Sequence, residues 1–236
     1  MKNIIVTGAT SGIGLAITRM LVSKGYQVIC IGRKIEKLEG LISEFQGKIK
    51  AIACDVTDYT GLDSIRQNLE RERIDVDVVI NNAGVGYFDH IEGGKIEEWH
   101  RMIDVNVKGI LNMTHIFLPG LISHNGLIVN IGSVASHQVF ANSAIYCATK
   151  HAVWAISEGL RIELAGKIRV TTISPGSVNT PFINSTSNPG MLEHYKDYFA
   201  TGLSPDIVAA QVLHAVEAPV GVVITEIIVR PDRPVK

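Results

Sequence analysis

Short, almost continuously apolar runs alternate along this chain with longer segments in which apolar residues recur at helical spacing. The runs predict seven strands, at residues 4–6, 27–31, 49–53, 76–80, 127–131, 168–173 and 222–229. Such runs are typical of parallel strands that are buried on both faces. The segments between them predict helices, among them 35–45, 62–69, 96–121, one through residue 146 that ends near 164, and 205–216. We therefore expect an α/β fold with a mostly parallel seven-stranded sheet and helices on both faces, as a single domain over residues 1–236.

The composition is that of a globular protein without an electrostatic preference for polyanions. Of the 236 residues, 46% are hydrophobic and 19% are charged, and 22 Lys and Arg against 23 Asp and Glu leave a net charge of -1. The charges form no long run, so we expect neither a nucleic-acid nor a membrane-surface partner. No apolar run is long enough for a membrane span, and no signal peptide is recognisable. We expect a soluble cytoplasmic protein that acts on a small molecule.

The spacing of cysteine and histidine argues against a metal centre. Cys30, Cys54 and Cys147 are scattered and lack CxxC spacing, which favours free thiols in a reducing compartment. The eight histidines form no HxH or HExxH pattern.

A glycine-rich turn follows the first predicted strand and leads into a helix. Gly8, Gly12 and Gly14 have GxxxGxG spacing. Glycines let a backbone approach a pyrophosphate, and a helix N-terminus supplies free N–H donors and the positive end of a dipole. The turn therefore favours a dinucleotide site, with an ordinary glycine-rich strand-to-helix turn as the alternative.

Two basic residues, Arg33 and Lys34, follow the second predicted strand. Enzymes that use NAD usually carry an acid here to bind the ribose 2′-hydroxyl, but this chain has none before Glu36. A guanidinium pairs well with a phosphate, so this pattern favours NADP. The alternative is two solvated charges at the start of the helix 35–45, where cations oppose the helix dipole.

Polar residues recur where later strands end, which is where open α/β sheets bind ligands. Asp55 could accept a hydrogen bond from an adenine amine. The alternative is that it caps the helix that begins after Thr57 or Asp58. Asn81 and Asn82 could brace neighbouring strands or line the crevice with Gly84, and Ser133 ends the fifth strand. Asn106 lies inside the predicted helix 96–121, where asparagine is unfavourable unless it is exposed or held by a partner.

Tyr146 and Lys150 are four residues apart, which places both on one face of a helix. A neighbouring ammonium favours the phenolate, so we expect Lys150 to lower the pKa of Tyr146 towards the working range of a proton donor. The alternative is a half-buried ring beside a solvated charge. Farther on, the pattern loosens over residues 182–202, which predicts an active-site lid.

Together these motifs resemble the classical short-chain dehydrogenase/reductase (SDR) family. The resemblance rests on TGATSGIG from Thr7, NNAG from Asn81, Asn106, Ser133, YCATK from Tyr146, and Pro175-Gly176, all in the family's order. The closest pattern is that of bacterial NADP-dependent 3-hydroxy acid and serine dehydrogenases, from GRK at 32–34 and TEIIVRP at 225–231. The resemblance implies a Rossmann-type doubly wound fold and a homodimer or homotetramer.

The resemblance also implies roles for individual residues. Tyr146 would be the general acid in reduction and the base in oxidation, and Ser133 would bind the substrate oxygen. Lys150 would lower the tyrosine pKa and bind the nicotinamide ribose, while Asn106 would hold a water that links Lys150 to solvent. The implied cofactor contacts are Gly8, Ser11, Gly12, Ile13, Gly14, Arg33, Lys34, Asp55, Val56, Asn82, Gly84, Tyr146, Lys150, Pro175, Gly176, Val178 and Thr180.

The implied function is NADP-dependent hydride transfer between nicotinamide and a carbonyl or secondary alcohol, on a small or medium carbonyl compound or hydroxy acid. Some NADP-using relatives carry a basic residue where this chain has Ser11, which leaves Arg33 and Lys34 to select the phosphate. A non-catalytic NADP-binding sensor or scaffold with the same fold is the alternative. The expected substrate pocket draws on His137, Val139, Phe140, residues 86–88, Phe182, Met191 and Tyr195.

Overall fold

The computed structural model describes residues 2–232, so Met1 and residues 233–236 of the predicted domain lie outside the described part. Seven strands form one parallel sheet in the order β3-β2-β1-β4-β5-β6-β7. They are β1 (Asn3–Thr7), β2 (Gln27–Gly32), β3 (Ile49–Ala53), β4 (Val78–Asn81), β5 (Leu127–Ile131), β6 (Arg169–Pro175) and β7 (Glu226–Val229). The order reverses between β1 and β4, as it does in a doubly wound Rossmann-type fold.

The helices connect the strands and cover the sheet. They are α1 (Gly12–Ser23), α2 (Ile35–Phe45), α3 (Tyr59–Arg71), α4 (Ile96–Ile103), α5 (Gly109–Ser123), α6 (Ala144–Glu163), α7 (Pro189–Ala200) and α8 (Pro205–Val216). Over residues 2–232, no helix combines the length and the apolar character that a membrane crossing requires.

The core has one layer on each face of the sheet because neighbouring strand residues point to opposite faces. Ile4 packs with residues of α1, α2 and α8, such as Ile17, whereas Ile5 packs with residues of α3 and α5, such as Leu62 and Met113. All five side chains are almost fully buried, and burying each contributes roughly 1.5–3 kcal/mol. This explains the continuous apolar runs, since both faces of each central strand are covered.

The predicted helix 96–121 is interrupted. Residues Asp104–Lys108 form a π-helical turn between α4 and α5, in which the Gly109 N–H donates to the Asp104 carbonyl. A π turn holds one residue more than an α turn, and such turns are frequent at functional sites. Apolar periodicity does not reveal this extra residue, so the sequence predicted one continuous helix.

The last strand is shorter than predicted. Only Glu226–Val229 pairs with β6, whereas residues 222–229 were expected to form the strand. Val222 and Val223 precede it with 45% and 42% of their surface exposed. They are apolar but lie off the sheet, so the sequence pattern overestimated the strand.

The segment predicted as a lid has regular structure. A short 3-10 turn (Pro181–Ser185) is capped by the Thr180 hydroxyl, and α7 is capped by Asn188, whose side chain accepts hydrogen bonds from the N–H groups of Gly190 and Met191. Its action as a lid stays a prediction.

Candidate active site

A cavity of about 1170 Å³ runs along the carboxyl ends of the strands, on both sides of the point where the strand order reverses. Its wall extends from the glycine turn and Arg33 at one end to Tyr146 and α7 at the other. Of the site residues that the sequence predicted, all except Gly14 and Asn106 line it. Motifs scattered over the chain are thus brought into one site.

Three of the predicted catalytic residues meet in the middle of this cavity. The Ser133 side chain is hydrogen-bonded to the Tyr146 phenol, and its Oγ also accepts the Ala135 N–H at 3.1 Å. The Lys150 ammonium donates to the Ile131 carbonyl at 2.8 Å and lies 5.8 Å from the centre of the Tyr146 ring. Ile131 is the last residue of β5, Ser133 caps the 3-10 turn Val134–Ser136 that follows, and α6 packs against that turn, so the fold fixes the relative position of all three groups.

Burial dominates the electrostatics of this group. It raises the pKa of Tyr146 well above its usual range, with a smaller opposing effect from the Ser133 hydrogen bond, and it lowers the pKa of Lys150 to about 8. The prediction that the pKa of Tyr146 is lowered towards the working range of a proton donor is therefore wrong for the folded chain by itself, because burial outweighs any effect of the Lys150 charge. Sequence spacing indicated that the two side chains are near each other, but not that both are enclosed, and enclosure disfavours both charged forms.

Asn106 is held inside the protein by its side-chain amide. Its Oδ1 accepts the Val85 N–H at 2.9 Å, and its Nδ2 donates to the Val85 carbonyl at 2.9 Å and to Thr149 Oγ1 at 3.1 Å. The π turn directs this amide between the Val85 loop and α6. Both amide N–H groups are used by the protein, so the amide braces the loop, and the expected contact with a water stays a prediction.

The glycine turn has the shape of a cradle. Gly8 and Gly12 have φ values of +65° and +51°, a region that favours glycine. A Cβ on Gly14 would lie 2.3 Å from the Gly8 carbonyl oxygen, so only glycine fits there. Asn82 Nδ2 donates to the Thr7 carbonyl at 2.9 Å and ties β4 to this turn. The close backbone and the uncapped start of α1 at Ser11 fit a pyrophosphate.

Near the glycine turn, Asp55 pairs with Arg101 and lies close to Arg33. Its Oδ2 accepts from Arg101 Nη2 at 2.8 Å and lies 4.0 Å from Arg33 Nη1, while its Oδ1 accepts from the N–H and the hydroxyl of Thr57. Partial burial opposes ionisation, yet the bonds from Arg101 and Thr57 hold the pKa of Asp55 below its usual range. The cap of α3 is Asp58, which accepts the Gly61 N–H at 2.9 Å.

Two basic residues at this end were missed. Arg101 and Lys37 line the cavity together with Arg33 and Lys34. Lys37 is one turn along α2 from Lys34, a spacing that could have indicated it. Arg101 is 46 residues from Asp55, and no local pattern connects the two.

The expected substrate pocket is partly observed. Phe140, Phe182 and Tyr195 line the cavity, as does Phe88 from the segment 86–88. His137, Val139 and Met191 are not among its lining residues. His137 Nε2 is instead 2.7 Å from Glu226 Oε1, and its ring packs against Trp154.

The neighbouring strands are braced by amides, one of the two possibilities raised by the sequence. Asn81 Nδ2 donates to Asn130 Oδ1 at 2.8 Å, and Asn130 Nδ2 donates to Ser157 Oγ at 2.8 Å. This buried chain links β4, β5 and α6 behind the catalytic group.

The strand order, the glycine turn and the buried Ser133, Tyr146 and Lys150 are together typical of nucleotide-dependent oxidoreductases. Comparison with known proteins agrees. The model of the short chain dehydrogenase family matches residues 2–189. The chain belongs to the short-chain dehydrogenase/reductase family, whose members use a nicotinamide cofactor. Within that family it is an oxidoreductase related to serine dehydrogenases.

The relatives and solved structures are similar over most of the chain. An uncharacterised oxidoreductase of Staphylococcus saprophyticus is 36% identical over 240 aligned positions, covering 98% of this chain and 96% of the relative. Serine 3-dehydrogenase of Agrobacterium fabrum is 39% identical and covers 76% of this chain and 73% of its own. A closed form of a serine dehydrogenase complexed with NADP+ superposes with a TM-score of 0.92 at 35% identity, over 97% of this chain and 94% of that one.

Proposed function

We propose that this protein is an NADP-dependent oxidoreductase that interconverts a carbonyl compound and its secondary alcohol. The nicotinamide, when bound, supplies or accepts the hydride. The observation that carries the proposal is the meeting of Ser133, Tyr146 and Lys150 in one cavity with the glycine cradle and Arg33.

In the reducing direction, Tyr146 is the proton donor to the carbonyl oxygen. Burial keeps its phenol protonated, which is the form a donor needs. Ser133 already bonds to that phenol, so its hydroxyl is positioned to hold the same substrate oxygen as negative charge develops. In the oxidising direction Tyr146 takes the proton back.

Lys150 acts as an electrostatic partner of Tyr146. Its ammonium donates one N–H to the Ile131 carbonyl, and its remaining N–H groups can donate to ribose hydroxyls of the cofactor. Its charge favours the phenolate that forms after proton transfer. Pro175, Gly176, Val178 and Thr180 would position the nicotinamide from the end of β6.

Selection of NADP is assigned to Arg33 and Lys34, with support from Lys37. These cations stand at the end of β2, where a 2′-phosphate of the adenosine ribose would lie. Asp55 is already paired with Arg101, so it leaves the charge of Arg33 available for a phosphate. The complex of the related serine dehydrogenase with NADP+ is in keeping with this choice.

We further propose a homodimer or homotetramer that uses α5 and α6. Both helices expose large apolar side chains, among them Leu111, Trp154 and Ile162. Light scattering on the purified protein tests this directly. A lid role for residues 182–202 and a cytoplasmic location remain predictions.

The proposal as a whole is tested by following NADPH consumption with a panel of ketones, aldehydes and keto acids. We expect reduction of at least one carbonyl class, and oxidation of the matching alcohol with NADP+. Tight NADPH binding without turnover of any substrate would favour a non-catalytic sensor instead.

A further inference from the structure

We propose that the substrate is an uncharged carbonyl compound with an aromatic or similarly flat apolar group, and not a hydroxy acid of the serine type. The inference rests on the proposed function of Tyr146. It follows from four rings, those of Phe88, Phe182, Tyr195 and Phe199, which together we call the aromatic chamber.

Phe88 lies at the centre of this chamber. Its ring centre is 5.7 Å from that of Tyr146, 5.3 Å from that of Tyr195 and 5.9 Å from that of Phe199. Phe182 approaches Tyr146 from another side at 5.6 Å. These are the separations of favourable tilted aromatic pairs. The proposed proton donor is therefore surrounded by rings.

The chamber is built from three separate parts of the chain. Phe88 follows β4, Phe182 lies in the 3-10 turn, and Tyr195 and Phe199 are four residues apart on one face of α7. Gly86 makes room for it, since a Cβ there would lie 2.5 Å from the Phe182 ring.

Polar contacts close the lid segment onto the Phe88 loop. The Phe88 N–H donates to Thr186 Oγ1 at 3.2 Å, and Asn188 Nδ2 donates to Asp89 Oδ1 at 2.8 Å. The rings of α7 are thereby held over Tyr146. A substrate bound there is enclosed mainly by aromatic carbon.

The charges around the chamber do not suit a carboxylate. Within residues 182–202, the ionisable side chains that line the cavity are His194, Asp197 and two tyrosines, with no arginine or lysine among them. Lys196 is exposed beside Glu193, and Lys150 donates to the Ile131 carbonyl. Asp197 would repel an anion.

Arg230 is the one further arginine or lysine to consider at this end of the described cavity. It is exposed, and its Cα and Cβ lie beside Gly176, where the nicotinamide is proposed to bind. In serine and 3-hydroxybutyrate one carbon separates the carboxylate from the reacting carbon, so the carboxylate of such a substrate would also lie close to Tyr146, among the rings of the aromatic chamber. A buried carboxylate requires a cation or several donors. Phe88, Phe182 and Phe199 offer none, and the Tyr195 hydroxyl already donates to the Ala141 carbonyl.

The test compares matched substrates on the wild-type protein. Acetophenone and 1-phenylethanol represent the aryl class, and L-serine and 3-hydroxybutyrate represent the hydroxy acids. We expect kcat/KM for 1-phenylethanol to exceed that for either acid by at least about 100-fold, because a site that lacks the partner for a charged group rejects it strongly. Faster turnover of an acid would overturn the substrate class while leaving the proposed function intact. Turnover of no carbonyl or alcohol would overturn both.

Variants locate the effect in the chamber. Phe199→Leu should raise KM for acetophenone roughly 10-fold, as expected for one removed ring contact in an apolar pocket. An NADPH Kd equal to that of the wild type shows that the variant is folded. Lys196→Met on the same helix is the matched control and should alter neither value. An unchanged KM for acetophenone in Phe199→Leu would contradict binding in the chamber.

Discussion

Arg101 and Asp55 are 46 residues apart in sequence, yet Arg101 Nη2 donates to Asp55 Oδ2 at 2.8 Å. The same oxygen lies 4.0 Å from Arg33 Nη1. Arg101 therefore neutralises the acid that would otherwise attract Arg33 and repel a phosphate. We infer that Arg101 is a positioning residue for the proposed selection of NADP.

Replacing Arg101 should weaken NADPH binding more than NADH binding. In Arg101→Gln the freed Asp55 carboxylate draws Arg33 towards itself, and we expect the ratio of the two Kd values to shift by about 10-fold against NADPH, as for one lost charge-assisted contact. Titration calorimetry measures both constants. The double variant Asp55→Asn/Arg101→Gln should recover the NADPH preference. An equal change in both Kd values would show that Arg101 has no part in selection.

Reversing the charge of Arg33 should swing preference towards NADH. Loss of a charge-assisted contact with the 2′-phosphate is worth roughly 1.5–3 kcal/mol, and the new acid can accept from the ribose 2′-hydroxyl. Arg33→Asp should thus lower kcat/KM for NADPH by one to two orders of magnitude and raise it for NADH. Lys167→Asp is the control, because it makes the same charge change just before the amino end of β6, whereas the cavity lies at the carboxyl ends of the strands. If kcat/KM for NADPH hardly changed, the assignment of Arg33 would be wrong.

The buried ammonium of Lys150 should make stability depend on pH. Burial lowers its pKa from 10.5 to about 8, so between these values the unfolded chain binds more protons than the folded one, and stability rises with pH. Below that window the full cost of burying the charge is present. Tyr146 has a raised pKa and stays protonated in both states up to its ordinary pKa of about 10, so it does not contribute there.

Lys150→Met removes this cost. The variant also leaves the Ile131 carbonyl without its donor, a loss that does not depend on pH. The free energy of unfolding of the variant minus that of the wild type should therefore fall from about pH 7 to about pH 9.5. Urea unfolding at both pH values gives the two free energies. A difference that grows with pH would contradict the buried charge.

Asn106 should matter for stability apart from any role in proton transfer. Asn106→Ala leaves the buried N–H and carbonyl of Val85 without partners, at a cost of about 1–3 kcal/mol for each group. Thermal unfolding should show a clear loss. Asn184→Ala, an exposed asparagine, is the control. Unchanged stability would mean that the Val85 loop finds other partners.

The sequence predicted most of the sheet because its strands are buried on both faces. The bounds of β3, β5, α2 and α8 agree with the structure, since apolar runs and caps such as Ser204 mark their ends. The π turn was missed because apolar periodicity does not register one extra residue in a helix. The length of β7 was overestimated because Val222 and Val223 are apolar but exposed, and they lie outside the strand.

The site was predicted where its parts lie in local motifs, and missed where they do not. The glycine turn and the pair of Tyr146 and Lys150 are each local, whereas Arg101 reaches Asp55 only through the fold. The pKa of Tyr146 depends on enclosure by Phe88 and Phe182, which no spacing rule contains. Proximity could be predicted from sequence, but the environment of the charge could not.

The central claim is that Tyr146 transfers the proton while a bound nicotinamide transfers the hydride. The most direct measurement compares wild type and Tyr146→Phe for the Kd of NADPH and for the rate of carbonyl reduction at saturating NADPH. The predicted result is an NADPH Kd within about threefold of wild type, with kcat lower by at least two orders of magnitude, the usual contribution of a positioned acid. Turnover that survives in Tyr146→Phe would contradict it.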